Sequence, residues 1–220
     1  PLLMFTFSFA MLFGIGAGAV VSLKLGEKEK SIAEKALGSS LFLSIFTSFI
    51  LTLLYYIFLN HILVFFGAKG EILELSMDYL KIILLGIIFQ ITSFVLNAVI
   101  RGEGNPRIAM FTMIIGAVSN TILDAIFIFG FGWGIKGAAF ATVLAQVISA
   151  IWVLVYFLNG KSLLKLSFNN INPDKTISKQ IVGIGFSPFI MHIAGSGIFI
   201  LLNSSFLYYG GPTAVAAMGI

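Results

Sequence analysis

Long uncharged stretches alternate with short polar segments along almost the whole chain. They are too long for membrane-spanning strands, which need about 9 to 11 residues, and fit helices, which need about 20. The pattern predicts an all-α, polytopic membrane helix bundle with about six transmembrane helices, because a helix satisfies its own backbone hydrogen bonds where water is absent. The predicted spans are Pro1–Leu23, one crossing within Ala36–Ala68, Met77–Ile100, Ile108–Phe129, Ala138–Leu158 and Ile181–Tyr209.

The polar connections predict how the spans are grouped and oriented. Gly210, Gly211 and Pro212 are expected to end the sixth span, so that Thr213–Ile220 opens a seventh. Gly160–Lys179 is the longest connection and predicts a lobe over residues 1–160, a cytoplasmic inter-lobe linker over 161–180 and the start of a second lobe over 181–220. Ten of the thirteen Lys and Arg fall on the face of this linker, which the positive-inside rule makes cytoplasmic.

Composition agrees with a multi-pass protein of the cell (plasma) membrane, the inner membrane where a cell has two. Hydrophobic residues form 59% of the chain and charged residues 10%, against about 25% charged residues in soluble domains. Thiol-ligated metal sites are excluded, because the chain has no cysteine. The expected surroundings are the lipid bilayer, with no nucleic-acid partner. The chain starts inside an apolar run without Met, and we expect it to be a piece of a longer protein.

One acid, Asp124, lies inside a run long enough to cross the bilayer. A carboxylate there costs about 2.5 to 3.5 kcal/mol on insertion scales, so such acids usually face a protein interior or a wet cavity. Asp124 is six residues before Gly130 and Thr142 is five after Gly137, which places both roughly 8 to 9 Å below the same turn. Asn120 is one helical turn deeper than Asp124, on the same face.

Two chemical uses fit this polar layer, which Tyr79 and the Ala138 carbonyl also reach. Asp124 could load and release a proton, because a low dielectric raises the pKa of a carboxyl. Alternatively, the oxygens of Asp124, Asn120, Thr142 and Ala138 suit a hard cation such as sodium. A purely structural Asp is the third interpretation. No other cofactor is expected.

A second polar stripe lies on the third span, where Gln90, Ser93 and Asn97 follow helical spacing and share one face. Gln146 adds a polar side chain to the fifth span. The stripe is either a set of interhelical hydrogen bonds or the wall of a substrate cavity. Asn97 is expected not to touch Asp124, because it lies four residues from the cytoplasmic Arg101.

Several stretches resemble one transporter family. They are RGEGNPRIAM followed by NTILD, the segment GWGIKGAAFATVLAQ, and GIGAGA with an LGE turn. Together they resemble the multidrug and toxic compound extrusion (MATE) family, in its prokaryotic DNA-damage-inducible branch. The resemblance implies a twelve-helix antiporter of two lobes that exports small organic compounds in exchange for protons or sodium. This chain would supply helices two to six and the seventh, so the family's first helix, which carries a second acid of the cation site, would be missing.

The same resemblance implies site residues at matching positions. The family's cation site matches Asn120, Asp124, Thr142, the Ala138 carbonyl and Tyr79, and Asn97 matches a cavity position. The alternatives are a lipid-linked saccharide flippase of the same superfamily, a non-transporting scaffold and a membrane-embedded enzyme. No Lys or Arg lies mid-span, which counts against the flippase, and one intramembrane acid with one isolated His counts against the enzyme.

Overall fold

A computed structural model of the protein describes residues 2–167, 171 and 173–218, and the side chains of all of these except 203, 204 and 207–218. The described residues form six α-helices and no strand, which confirms the all-α fold. All six helices are long and apolar enough to cross a membrane. They are α1 (Leu2–Gly26), α2 (Lys30–Phe65), α3 (Gly70–Gly102), α4 (Pro106–Asp124, continued by a π-helical segment, Ala125–Gly130), α5 (Gly134–Leu158) and α6 (Lys175–Met218).

Helix α3 lies at the centre of the bundle and packs against α1, α2 and α5. Four of its apolar side chains are fully buried, namely Leu84, Ile87, Ile91 and Leu96. Helix α4 lies at the edge, where it packs mainly on α5 and buries only Ala109 and Thr112. The large apolar side chains that α4 leaves exposed are those expected of a helix that faces lipid.

Helix α6 runs along α1, and two glycines set how closely they approach. A Cβ at Gly16 would overlap the carbonyl oxygen of Ile181, and a Cβ at Gly185 would overlap that of Leu12. Small residues are the usual means of close helix packing where no hydrophobic effect drives association. The two helices therefore meet backbone to backbone at two levels.

Two sequence expectations about boundaries are wrong. Helix α6 continues through Gly210, Gly211 and Pro212, which were expected to end it. Gly and Pro are tolerated inside membrane helices, where neighbouring groups replace a lost backbone bond. Helix α3 begins at Gly70 rather than near Met77, because a helix can extend past the bilayer into water. Pro1, Gly219 and Ile220, at the ends of predicted segments, lie outside the described residues.

The described part of the connection between α5 and α6 makes hydrogen bonds to α2. Leu164 is buried, and the Lys165 backbone N–H donates to a Glu34 carboxylate oxygen at 3.1 Å. The Asp174 N–H donates to the Ser39 hydroxyl at 3.2 Å, and its carboxylate accepts from the first N–H groups of α6. Because α6 begins at Lys175, it includes the end of the predicted linker over 161–180. The division into lobes itself stays a prediction.

Candidate functional site

A cavity of about 460 Å³ lies between α3, α4 and α5, with one wall completed by Phe7 of α1. Its polar lining residues are Gln90, Ser93, Asn97, Arg101, Thr112, Asn120, Thr142, Gln146 and Ser149. The polar stripe of the third span therefore faces a cavity. The three predicted substrate-cavity residues, Gln90, Asn97 and Gln146, all line it.

Glycines allow the three helices to enclose this space. A Cβ at Gly116 of α4 would lie 2.6 Å from the Ser149 hydroxyl of α5, and one at Gly86 of α3 would overlap the Gln146 amide oxygen. The chain thus places a small residue opposite a polar side chain at both contacts. As a result, polar groups of α5 are held against the neighbouring helices at the edge of the cavity.

The outer end of the cavity holds a short hydrogen-bonded chain. The Asn120 side-chain N–H lies 3.4 Å from the Thr142 hydroxyl oxygen, which accepts from it. The Thr142 hydroxyl in turn donates to the Ala138 carbonyl at 2.9 Å. The structure therefore joins three of the residues predicted for ion coupling across α4 and α5.

Asp124 lies next to this chain, one turn beyond Asn120, but it is not among the residues that line the cavity. Its side chain is half-buried, and the described residues provide it with neither a hydrogen bond nor an ion pair. Tyr79 of α3, also predicted for ion coupling, is half-buried and is not among the residues that line the cavity. Within the described residues, no lysine or arginine lies within ion-pair distance of the Asp124 carboxylate.

The backbone changes character directly after Asp124. The six residues Ala125–Gly130 are π-helical, with the Phe131 N–H bonded to the Ile126 carbonyl at 2.9 Å. π-helical turns inside α-helices are rare and occur frequently at functional sites. The ring of Phe127, inside this segment, stacks on that of Trp133, just beyond it, with centroids 5.3 Å apart. The acid is therefore followed by an irregular turn that an aromatic cluster covers.

The inner end of the cavity has a different chemistry. Asn97 is buried and donates from its side chain to the Ala109 carbonyl at 2.8 Å, so its amide joins α3 to α4. Arg101 lies one turn further along α3, with its guanidinium carbon 5.9 Å from the Phe94 ring centroid. Arg101 was expected only as a cytoplasmic charge, and its position in the cavity wall was not predicted.

Gln90 and Phe7 also line a second cavity, of about 510 Å³, between α1, α3 and α6. His192 of α6 lies in this second cavity, and its ring packs edge-on against Phe7 with centroids 5.6 Å apart. The two cavities are thus neighbours that share a wall.

The MatE family model matches residues 1–126 of the chain. The chain belongs to the MATE family. Among curated MATE relatives, the multidrug export protein MepA of Staphylococcus aureus strain MSSA476 is 34% identical over 209 residues, which cover 95% of this chain and 46% of MepA. MepA of Staphylococcus saprophyticus is also 34% identical over 209 residues, with the same coverage. The chain spans about half the length of the curated relatives it matches.

Solved MATE structures superpose along nearly the whole chain. An inward-facing multidrug resistance MATE transporter matches with a TM-score of 0.93 and 28% identity, over 99% of this chain and 50% of that one. An outward-facing conformation matches with a TM-score of 0.89 and 29% identity, over 100% and 49%. The chain is therefore a multi-pass membrane protein of a transporter family, and it is not an enzyme. In bacteria, such a protein lies in the plasma membrane.

Proposed function

We propose that the full-length protein exports small organic, drug-like compounds in exchange for a proton or a sodium ion. The proposal draws on its relatives, which are named multidrug export proteins. It also draws on the cavity, whose amide and hydroxyl groups can orient an organic compound between apolar walls. Alternating access between two lobes is the expected mechanism, with ion and compound favouring different states.

Asn120 carries the proposal, because it belongs to both the cavity and the ion-coupling group. It lines the cavity, contacts Thr142 on α5, and lies one turn before Asp124 on α4. Asp124 would take the proton as a carboxylate with no cationic partner in the described residues. For sodium, the carboxylate would act together with the oxygens of Asn120, Thr142 and Ala138. In either case, the ion at Asp124 and a compound in the cavity would bind to adjacent turns of α4 and would therefore compete.

The test is gradient-driven efflux from liposomes that contain the full-length protein, with proton and sodium gradients imposed separately. We expect one gradient to drive efflux and Asp124→Asn to abolish that coupling, because the amide cannot ionise. The matched control is Asp78→Asn. Asp78 lies at the outer end of α3 in an exposed ion pair with Lys136 at 3.0 Å, away from the cavity lining.

Three results would contradict the proposed coupling or its site. Efflux that ignores both gradients would remove ion coupling from the proposal. Unchanged coupling in a folded Asp124→Asn protein would move the coupling site elsewhere. Equal losses in the Asp78 and Asp124 variants would show a general effect of removing an acid near the outer surface.

A lipid-linked saccharide flippase is the second candidate, and Arg101 favours it. The cavity has a guanidinium in its wall, although no Lys or Arg lies mid-span. A flippase would move its lipid-linked substrate without dependence on Asp124, so the same liposomes distinguish the two functions.

A further inference from the structure

Arg101 is the only charged residue that lines the cavity between α3, α4 and α5 within the described residues. Asp124, the acid expected to set the charge of this site, lies outside the lining. All the other polar lining groups are neutral amides and hydroxyls. Among the described residues, the cavity wall therefore presents a positive charge at its inner end and no negative charge.

Within the part of the chain that the structure describes, the neighbours of Arg101 leave its guanidinium free to bind an anion. No carboxylate of the described residues lies within ion-pair distance of it. The acid closest in sequence is Glu103, and its two carboxylate oxygens accept from the hydroxyls of Tyr156 and Ser162 instead. A guanidinium offers several N–H donors in a fixed plane that matches carboxylate and phosphate oxygens.

The Phe94 ring holds the guanidinium at the cavity. Phe94 also lines this space, and the 5.9 Å separation from the Arg101 guanidinium carbon to the ring centroid is within cation–π range. The contact restricts the long side chain before a ligand arrives, so less rotamer freedom is lost on binding. Phe7 and Met113 add apolar surface to the same walls.

We propose that Arg101 is a specificity-determining residue that selects amphipathic compounds carrying an anionic oxygen group, a carboxylate or a phosphate. The anionic group lies at Arg101, and the apolar part of the compound lies between Phe7, Phe94 and Met113. This inference rests on the proposed export function, since it names the substrate class of the same cavity. It does not depend on which ion drives transport.

The test is equilibrium binding of pyrenebutyric acid and its methyl ester to the full-length protein in phosphatidylcholine nanodiscs at neutral pH. The two compounds share their apolar part and differ in the anionic group. We expect the wild type to bind the acid about tenfold more tightly than the ester, in line with charge-assisted hydrogen bonds. Arg101→Gln should bring the ratio to about one with the ester affinity unchanged, and Arg101→Lys should keep part of the preference.

Arg107→Gln is the matched control. Arg107 is an exposed arginine on the first turn of α4, in the same charged connection, and it does not line the cavity. It should leave the ratio unchanged. Melting temperatures of all variants would show that each is folded.

Several results would overturn the inference. They are a wild-type ratio near one, an Arg101→Gln ratio equal to that of the wild type, an equal loss of acid and ester binding in Arg101→Gln, and an equal effect of Arg107→Gln. A further arm adds phosphatidylglycerol to the nanodiscs. If this lipid removes the acid preference of the wild type, the anion at Arg101 is a lipid headgroup rather than a substrate.

Failure here is distinguishable from failure of the export function, because binding needs no gradient. Ester binding without any role for Arg101 overturns this inference and leaves export intact. An acid preference that depends on Arg101, in a protein whose efflux ignores both gradients, overturns ion coupling and supports this inference.

Discussion

The Glu103 carboxylate accepts a hydrogen bond from the Tyr156 hydroxyl, which joins the turn after α3 to the last part of α5. Glu103 is only 8% exposed, and no lysine or arginine of the described residues pairs with it. Ser162 donates to its other oxygen at 2.5 Å, and Asn105 donates to the Tyr156 oxygen at 3.0 Å. Neutral donors thus hold a buried acid at the end of the bundle where the connection to α6 begins.

Replacing Tyr156 with Phe should lower the free energy of unfolding by about 1 to 3 kcal/mol, because it leaves one oxygen of a buried carboxylate without its donor. The measurement is thermal unfolding of the full-length protein in detergent. Tyr56→Phe is the control, because it removes the same hydroxyl group from a tyrosine that is 58% exposed. Equal melting temperatures for the Tyr156 variant and the wild type would show that the contact adds no stability.

The approach of α1 to α6 gives a second prediction, on Gly185. An alanine there would place a Cβ into the Leu12 carbonyl oxygen, so the helices must separate. We expect Gly185→Ala to cost about 1 to 3 kcal/mol, the usual range for overpacking. Gly183, on the same helix, has open space around it, and Gly183→Ala should be neutral. If both variants melt alike, the two helices are not held in close contact.

The sequence predicts the spans well because uncharged length is a strong signal. It predicts their ends poorly, since α3 extends to Gly70 in the polar region where hydropathy no longer marks a helix. The prediction that Gly210, Gly211 and Pro212 end the helix was wrong for a related reason. Such residues break helices in water-soluble proteins, whereas in α6 the helix continues through them.

The site shows the same division between what local spacing encodes and what it does not. Counting residues from one shared turn placed Asp124 level with Thr142 and Asn120 one turn deeper, whereas within the described residues it is Asn120 that contacts Thr142. Arg101 was missed although it continues the spacing of Gln90, Ser93 and Asn97 by one more turn. The burial of Glu103 has no local signal, because it depends on Tyr156, 53 positions away along the chain.

The hydroxyl of Thr142 should matter for ion coupling more than for stability. Thr142→Val removes the acceptor of Asn120 and the donor to Ala138, but the 3.4 Å contact is long, so the change in unfolding free energy should stay below about 1 kcal/mol. We expect gradient-driven efflux to fall about tenfold, and Thr142→Ser to restore it. Thr121→Val is the control, since Thr121 is exposed and bonds only to its own helix. Normal efflux in Thr142→Val would exclude the hydroxyl from coupling.

Gln146 should contribute to binding at the expense of stability. Its amide oxygen is buried beside Gly86 and has no hydrogen-bond partner in the described part of the chain. Gln146→Met keeps the length of the side chain and removes the unsatisfied acceptor, so unfolding should become up to about 1 kcal/mol less favourable. The exposed Gln180 of α6 provides the control Gln180→Met, which should change neither property.

The reason is that Gln146 lines the cavity, and its amide can turn from Gly86 to accept a hydrogen bond from a ligand that enters. We therefore expect the more stable Gln146→Met protein to bind amide- or hydroxyl-bearing compounds several-fold more weakly, and purely apolar ones equally well. Equilibrium binding of matched compounds with and without the donor group measures this difference. Lower stability together with unchanged binding would show that Gln146 is a structural residue, satisfied by water or by another part of the protein.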